Sequence, residues 1–307
     1  MALEKKGVLW VDGEMVPFAD ATTHVLSHGL HYGSGVFEGI RSYRQKDGSA
    51  AVFRLREHAE RLVASAKAYK IPLSHPVEAL MEACRLVLRE NGLGDAYIRP
   101  VSFAGLGSLG VGSRDCPTVT AVAAFPWGPY LGPEALEKGV RATISSWTRL
   151  HHSMFPTAAK GCGQYLNSML ATREAKEKGF EEAILLDRDG KVSEGAGENI
   201  FTVRGGALRT PGREDSILAG ITRDSVLRIA RDLGLPAVEG SLTRQDLYAA
   251  DEVFFTGTAA EVTPVREIDG YSIGIGRRGP ITERIQSVFF RAVRGEDPRY
   301  REWLTAV

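Results

Sequence analysis

Apolar positions along the chain change period several times, and each change marks a predicted element. Val8 to Val11, the pair Asp12-Gly13, and Met15 to Phe18 read as a hairpin closed by an Asp-Gly turn. Over 57–70, Ala59, Leu62, Val63 and Ala66 fall on one helical face, with Arg61 off that stripe, and Ile71-Pro72 ends the helix. Pro76 opens a second helix striped by Val77, Leu80, Met81, Cys84, Val87 and Leu88 and stopped by Asn91-Gly92. The runs 97–103 (YIRPVSF) and 119–125 read as strands.

Further on, Leu166, Met169 and Leu170 recur at i, i+3 and i+4, which predicts a helix with a narrow apolar stripe. Lys176 and Lys178 suit its last turn and Gly179 its stop. A buried strand (182–186), an Asp-Gly turn (187–190) and a returning strand bring Glu194 to a strand end beside Gly195-Ala196-Gly197. Residues 199–203 resume a strand. The run 220–234 reads as a helix capped by Thr222, with Asp224 in its positive first turn and a stripe of Val226, Ile229, Ala230 and Leu233. A short helix follows at 243–250, capped by Thr243 with Asp246 three residues on. A strand at 252–255 ends in the loop Thr256-Gly257-Thr258-Ala259-Ala260, and Ile281, Ile285, Val288 and Phe289 stripe a closing helix.

Bulk properties narrow the class. With 307 residues and 43% hydrophobic content, the chain can bury a substantial core as one large or two medium domains. Pro126 to Pro133 holds three prolines and two glycines, a stiff linker where the domain boundary is expected. A net charge of zero gives no reason to invoke nucleic acid or an anionic membrane. No apolar run approaches the ~18 residues of a membrane span, and the first residues lack the apolar core of a signal peptide. Cys84, Cys116 and Cys162 are an odd, sparse set, consistent with reduced thiols and a cytoplasmic location.

Candidate chemistry sits in six places. His24, His28 and His31 have neither carboxylates nor cysteines at ligand spacing, which argues against a metal site. Tyr32, Gly33, Gly35, Phe37 and Gly39 interleave aromatics with glycines, as a pocket wall with close backbone approach would. Gly105 to Gly110 spells G-x-G-x-x-G, but Val111 to Pro117 cannot open the helix that a dinucleotide fingerprint needs; a mobile glycine loop is expected instead. Lys160 lies among Thr157, Ala158, Ala159, Gly161, Cys162 and Gly163, small residues that let a large group approach its amine. A lone loop lysine is ordinarily a surface residue. Here a phenol, Tyr165, and a carboxylate, Glu194, complete the parts of a Schiff-base site. Gly220, Ile221 and Thr222 at a helix start would seat an anion, and the 256–260 loop offers a second phosphate contact.

Lys160, then EGAGENIF (194–201), LRT (208–210) and LAGITR (218–223), together resemble the signature of the fold-type IV aminotransferases. The flanks VFEGIRSY, FRLREHAERL, AYIRP, AAFPWGPYLG and GTAAEVTPVR are similar to those of the branched-chain amino-acid aminotransferases, so the likeness runs from Trp10 to about Phe290. Gly161-Cys162 and Gln164 depart from the small or polar residues common beside the lysine. The resemblance implies an α/β, two-domain fold: a small N-terminal α/β domain (1–125), an interdomain linker (126–135), and a larger C-terminal domain (136–307) binding pyridoxal 5′-phosphate in the interdomain cleft. It implies Lys160 as the Schiff-base lysine, Glu194 at the pyridine nitrogen and Tyr165 at the ring hydroxyl. Arg61, Ile221, Thr222 and Thr258 would hold the phosphate. Phe37, Tyr32, Gly39, Tyr97, Arg99, Trp127 and Tyr130 would line the substrate pocket, with Thr258 and Ala259 near the substrate carboxylate. The 105–111 loop would reach the neighbouring subunit's site, making a homo-oligomer, a dimer at least or a hexamer. The implied reaction is transamination of leucine, isoleucine and valine with 2-oxoglutarate. The rivals are a D-amino-acid aminotransferase or an aminodeoxychorismate lyase of the same fold, and, from another class, a nucleotide-binding oxidoreductase using Gly105 to Gly110.

Overall fold

The computed structural model describes residues 6–128, 131–132 and 134–307. Pro129, Tyr130 and Pro133 of the predicted linker therefore lie outside the described residues. Two compact units emerge: Met1–Trp127 with Ala159–Gln164 and Ala292–Val307, and Gly128–Ala158 with Tyr165–Arg291.

The first unit is built on an antiparallel sheet ordered Leu304–Ala306, Ala50–Phe53, Ile40–Arg44, Ala96–Ala104, Thr118–Phe125, Val8–Val11, Glu14–Pro17, with Gly35–Phe37 also paired to Ala96–Ala104. The helix Val77–Glu90 lays its predicted stripe on this sheet: Ala83, Cys84, Val87 and Leu88 pack with Trp10, Ile40, Val52, Ile98 and Val122. Each large apolar side chain buried there contributes about 1.5–3 kcal/mol. Burial, helped by the nearby Glu38 charge, pushes the Cys84 thiol up to about 12, as befits a core residue. The helix Leu55–Ala68 buries Ala59, Leu62 and Ala66 against Val36, Ile71 and Leu80.

The second unit carries a mixed sheet ordered Ala237–Glu239, Ala207–Thr210, Asn199–Arg204, Glu252–Gly257, Glu261–Ile268, Val140–Ile144, Glu182–Leu186, Lys191–Gly195, Leu242–Thr243, with Tyr271–Ser272 at Glu261–Ile268. Its parallel pairs are those of Val140–Ile144 with both neighbours and of Ala207–Thr210 with Ala237–Glu239. The helices Tyr165–Glu177 and Ile221–Asp232 belong to it, as does Pro280–Val293 as far as Arg291.

Three expectations change. The chain does not pass once from a domain at 1–125 into another at 136–307. Ala159–Gln164 and Ala292–Val307 pack with the first unit, because Val36 bridges Gly161 and Leu304–Ala306 pairs with Ala51–Phe53. In Tyr165–Glu177 the inward face is not Leu166, Met169 and Leu170: Leu166 is 58% and Met169 36% exposed, while Ala171 and Ala175 pack on Ala183, Leu185 and Ala196. Alanines let the helix sit close to its strands. Thr222 does not cap Ile221–Asp232; Gly220 is the N-cap, no side chain caps it, and Thr222 is buried in the first turn.

Candidate active site

In the first unit Lys160 is fixed through its backbone. Its N–H donates to Ser65 Oγ at 3.0 Å, and its carbonyl accepts from Phe37 N at 3.1 Å. Its Nζ stands 5.1 Å from the centre of the Phe37 ring. The small neighbours have a steric reason, since a Cβ on Gly161 would fall 2.2 Å from the Tyr69 hydroxyl. Gln164, one of the departures from the family pattern, donates to that hydroxyl and to the Ala159 carbonyl. Burial pushes the Cys162 thiol up, against the pull of Arg99, so this cysteine is not an activated thiolate.

Arg61, which lies off the apolar stripe, points inward rather than to water. Its Nε donates to Glu38 Oε1 at 2.6 Å and its Nη2 to Oε2 at 2.9 Å. His58 Nδ1 meets the same Oε2 at 2.7 Å. Burial alone would raise the Glu38 pKa, but the charges of Arg61 and His58 and their hydrogen bonds hold it well below the usual carboxylate range. Burial lowers that of His58, with Arg61 and Lys160 adding to the push and Glu38 opposing it. Facing a carboxylate oxygen, His58 Nδ1 carries the proton of that hydrogen bond.

Tyr97 and Arg99 share a face of one strand, as their spacing requires. Arg99 Nη2 donates to the Tyr97 hydroxyl at 3.3 Å, and its guanidinium lies 4.8 Å from the Phe37 ring centre. Among the described residues no carboxylate pairs with Arg99, and its buried Nε has no hydrogen-bond partner. Trp127 packs 4.5 Å from Tyr97 and 5.5 Å from Phe125, ring centre to ring centre, and its carbonyl accepts from Arg41 at 3.1 Å. Gly39 must be glycine, because a Cβ there would lie 1.9 Å from the Tyr97 hydroxyl. Tyr32 ends the short helix His28–Tyr32, half exposed and packed on His28. His28 in turn spans Ser34 Oγ at 2.6 Å and the Gly110 carbonyl at 2.9 Å, pinning the glycine loop. That loop opens no helix. Tyr130 is outside the described residues.

In the second unit Glu194 is buried and held on both oxygens. Arg149 Nη2 reaches Oε1 at 2.8 Å, while Asn199 Nδ2 and Leu218 N donate to Oε2 at 3.0 and 3.1 Å. Asn199 Nδ2 also donates to the Leu218 carbonyl at 2.9 Å, and a Cβ on Gly220 would lie 1.9 Å from Asn199 Oδ1. One asparagine thus ties the Glu194 carboxylate to the start of Ile221–Asp232. Tyr165 opens Tyr165–Glu177 and is half-buried. Thr258 and Ala259 follow Glu252–Gly257 in a partly exposed turn. On that strand the Thr256 hydroxyl is buried without a partner.

Sequence reasoning missed Glu38, His58, Ser65, Arg149 and Asn199 as site-building residues. Two of them leave a signal: His58 and Ser65 fall on the same helical face as Leu55, Ala59, Leu62 and Ala66, and polar groups on an apolar stripe require buried partners. Arg149 has no pattern around it.

The chain matches the family described as amino-transferase class IV over residues 35–268. It is 51% identical to the branched-chain-amino-acid aminotransferase of Escherichia coli strain K12 over 308 residues, covering all of this chain and 99% of the relative. The crystal structure of the Escherichia coli branched-chain amino acid aminotransferase superposes with a TM-score of 0.95 at 51% identity, over 98% of this chain and 99% of that one. The branched-chain amino acid aminotransferase from Thermobaculum terrenum, solved in its PLP-form, superposes with a TM-score of 0.93 at 36% identity, over 99% of each chain.

Proposed function

We propose a specific reaction from one premise: this chain belongs to the class IV aminotransferases and, within them, to the branched-chain-amino-acid aminotransferases. The reaction is reversible transfer of the amino group of L-leucine, L-isoleucine or L-valine to 2-oxoglutarate, with pyridoxal 5′-phosphate as cofactor. The observation that carries it is Lys160, an amine in a small-residue setting whose peptide unit is fixed at both its N–H and its carbonyl.

The residues present fit the cofactor. A guanidinium (Arg61), a helix start with no side-chain cap (Gly220 to Thr222), and a buried hydroxyl without a partner (Thr256) are the donor set a phosphoester needs. When bound, pyridoxal 5′-phosphate supplies an electrophilic carbon for the amino group and a ring that accepts the electron pair left at the α-carbon. In this reading Arg61, Ile221, Thr222 and Thr258 bind the phosphate and Tyr165 meets the ring hydroxyl. Glu194 holds a proton at the ring nitrogen, with Arg149 supplying its counter-charge. Lys160 Nζ moves the α-proton. Phe37, Tyr32, Trp127 and Tyr130 receive the branched side chain, and Ala259 with Thr258 faces the substrate carboxylate.

Glutamate poses a conflict, because its distal carboxylate would cost several kcal/mol in an apolar wall without a partner. Arg99 supports an answer: aromatic rings bracket it, no described carboxylate occupies it, and its Nε lacks a partner. Arg99 pairs with that carboxylate in the glutamate half-reaction. A panel of amino acids with 2-oxoglutarate tests the reading, together with Arg99→Ala. All three branched-chain amino acids should react within a modest range, since one methylene in an apolar pocket is worth about 1–3 kcal/mol. Arg99→Ala should raise KM for glutamate and 2-oxoglutarate far more than for leucine; equal losses assign the dual recognition elsewhere. Lys160→Ala should abolish turnover, and borohydride should no longer fix cofactor to the protein.

The smallest working unit in this reading is a homodimer. Leu106, Leu109 and Val111 expose apolar side chains on the glycine loop, as a segment covered by a second copy would. Sedimentation of the purified protein as a monomer at assay concentration overturns it.

A further inference from the structure

We propose that Glu38, backed by His58, is a positioning residue that fixes the Arg61 guanidinium for the cofactor phosphate; this rests on the reading that Arg61 binds that phosphate. Glu38 lies between Gly35–Phe37 and Ile40–Arg44, and its side chain is fully buried. Four donors meet its two oxygens: Arg61 Nε and Nη2, His58 Nδ1, and the Gly39 N–H at 3.2 Å. The fork on Arg61 is bidentate, so it fixes both the position and the plane of the guanidinium. His58, itself only 1% exposed, stops the carboxylate from rotating.

Stability alone does not account for this cluster. Buried ion pairs are often neutral or unfavourable compared with apolar residues of the same volume. A polar trio in the interior is explained if orientation is what it supplies. A loose arginine carries considerable rotamer entropy, lost each time it grips an anion. The clamp removes that freedom in advance. Glu38 and Arg61 carry opposite charges and hold each other in one fixed geometry.

The placement ties two handles together. His58, Arg61 and Ser65 all stand on Leu55–Ala68, and Ser65 holds the Lys160 N–H. Phe37, the residue before Glu38, holds the Lys160 carbonyl. One helix and one strand end therefore set where the amine and the guanidinium lie relative to each other.

The experiment titrates apoprotein with pyridoxal 5′-phosphate and, separately, with pyridoxal, following absorbance. The ratio of the two dissociation constants is the contribution of the phosphate, and the contribution of Lys160 cancels. Glu38→Gln should lower that ratio about tenfold, the loss of roughly one charge-assisted hydrogen bond, with pyridoxal affinity nearly unchanged. His58→Leu should lower it in the same sense, while His58→Asn, which keeps a donor near the Nδ1 position, should restore it. Equal weakening of both ligands by Glu38→Gln and by His58→Leu means a merely structural role and overturns the proposal. If Glu38→Gln does not fold, His58→Leu against His58→Asn decides alone. Arg61→Ala is the separate control: an unchanged ratio there defeats the phosphate reading itself, whereas a collapsed ratio with Glu38→Gln unaffected defeats only the positioning role.

Discussion

Glu38 and Glu194 are both buried carboxylates facing an arginine, yet they are wired in opposite senses. Glu38 takes a bidentate fork from Arg61 and a third side-chain donor from His58, and it is wholly inaccessible. Glu194 takes Arg149 Nη2 on Oε1 and, on Oε2, the neutral donors Asn199 Nδ2 and Leu218 N among its partners, and it keeps 6% exposure. On the proposed reading, the carboxylate serves the arginine in the first pair and the arginine serves the carboxylate in the second. Burial and ion pairing alone therefore do not tell which partner acts on a ligand. A third acid supplies the contrast. Glu182 is 1% exposed, and it accepts a hydrogen bond from the N–H of the next residue, Ala183. Burial pushes its pKa up to about 7, although the Ala183 N–H and the Lys176 charge oppose this.

Glu194→Gln separates the two arginine-bound acids most strongly. An amide keeps the Asn199 and Leu218 neighbourhood in place but could not hold a proton at the cofactor's ring nitrogen, the role proposed for Glu194. We expect a loss on the order of 10²–10³ in kcat with little change in KM, and a lower melting temperature, because the buried Arg149 loses its counter-charge. Near-normal single-turnover rates would make Glu194 a structural acid with no part in the reaction. Next in size is Arg149→Met. Removing one partner strands a buried charge, so unfolding free energy should drop by about 3 kcal/mol in denaturant titration. If Arg149 serves Glu194, Glu194→Gln on the Arg149→Met background should recover part of that stability and none of the activity. Additive losses would show two independent roles.

The smallest effect belongs to Glu182. Its folded pKa lies above its unfolded value of about 4.5, so the folded state binds more protons between pH 4.5 and 7. Stability from this group must therefore fall as pH rises through that window and level off above it. The difference in stability between Glu182→Gln and the parent should grow from near zero at pH 4.5 to about 1–3 kcal/mol at pH 8, in favour of the amide. A flat difference would mean that Glu182 finds a compensating charge in solution.

Elements whose own apolar residues face inward are legible in the sequence. The stripe of Val77 to Leu88 and the Thr243/Asp246 capping box stand as read. Tyr165–Glu177 reads correctly as a helix but with the wrong face inward, because its buried residues are alanines and a serine, and periodicity weighs leucine and methionine more. The Thr222 cap fails because Gly220 begins the helix two residues earlier. Lys160, Glu194 and Arg61 stand out through their local setting or family motif. Glu38 and Arg149 do not, since their meaning comes from partners far along the chain: Glu38 meets His58 and Arg61, and Arg149 meets Glu194. No short window of sequence contains such a pair.

The assignment of Ala159–Gln164 and Ala292–Val307 to the first unit has a consequence for the order in which the chain folds. The bridge from Val36 to Gly161 and the pairing of Ala51–Phe53 with Leu304–Ala306 close loops of very large sequence separation. Contacts of that kind are slow to form, because loop entropy is lost before they repay it. On a ribosome the sheet of the first unit must wait, one edge unpaired, until the last residues emerge. The second unit, Gly128–Ala158 and Tyr165–Arg291, is interrupted only by residues 159–164 and meets far less delay. A chain halted before Lys160 emerges carries the arginine clamp without the amine it accompanies.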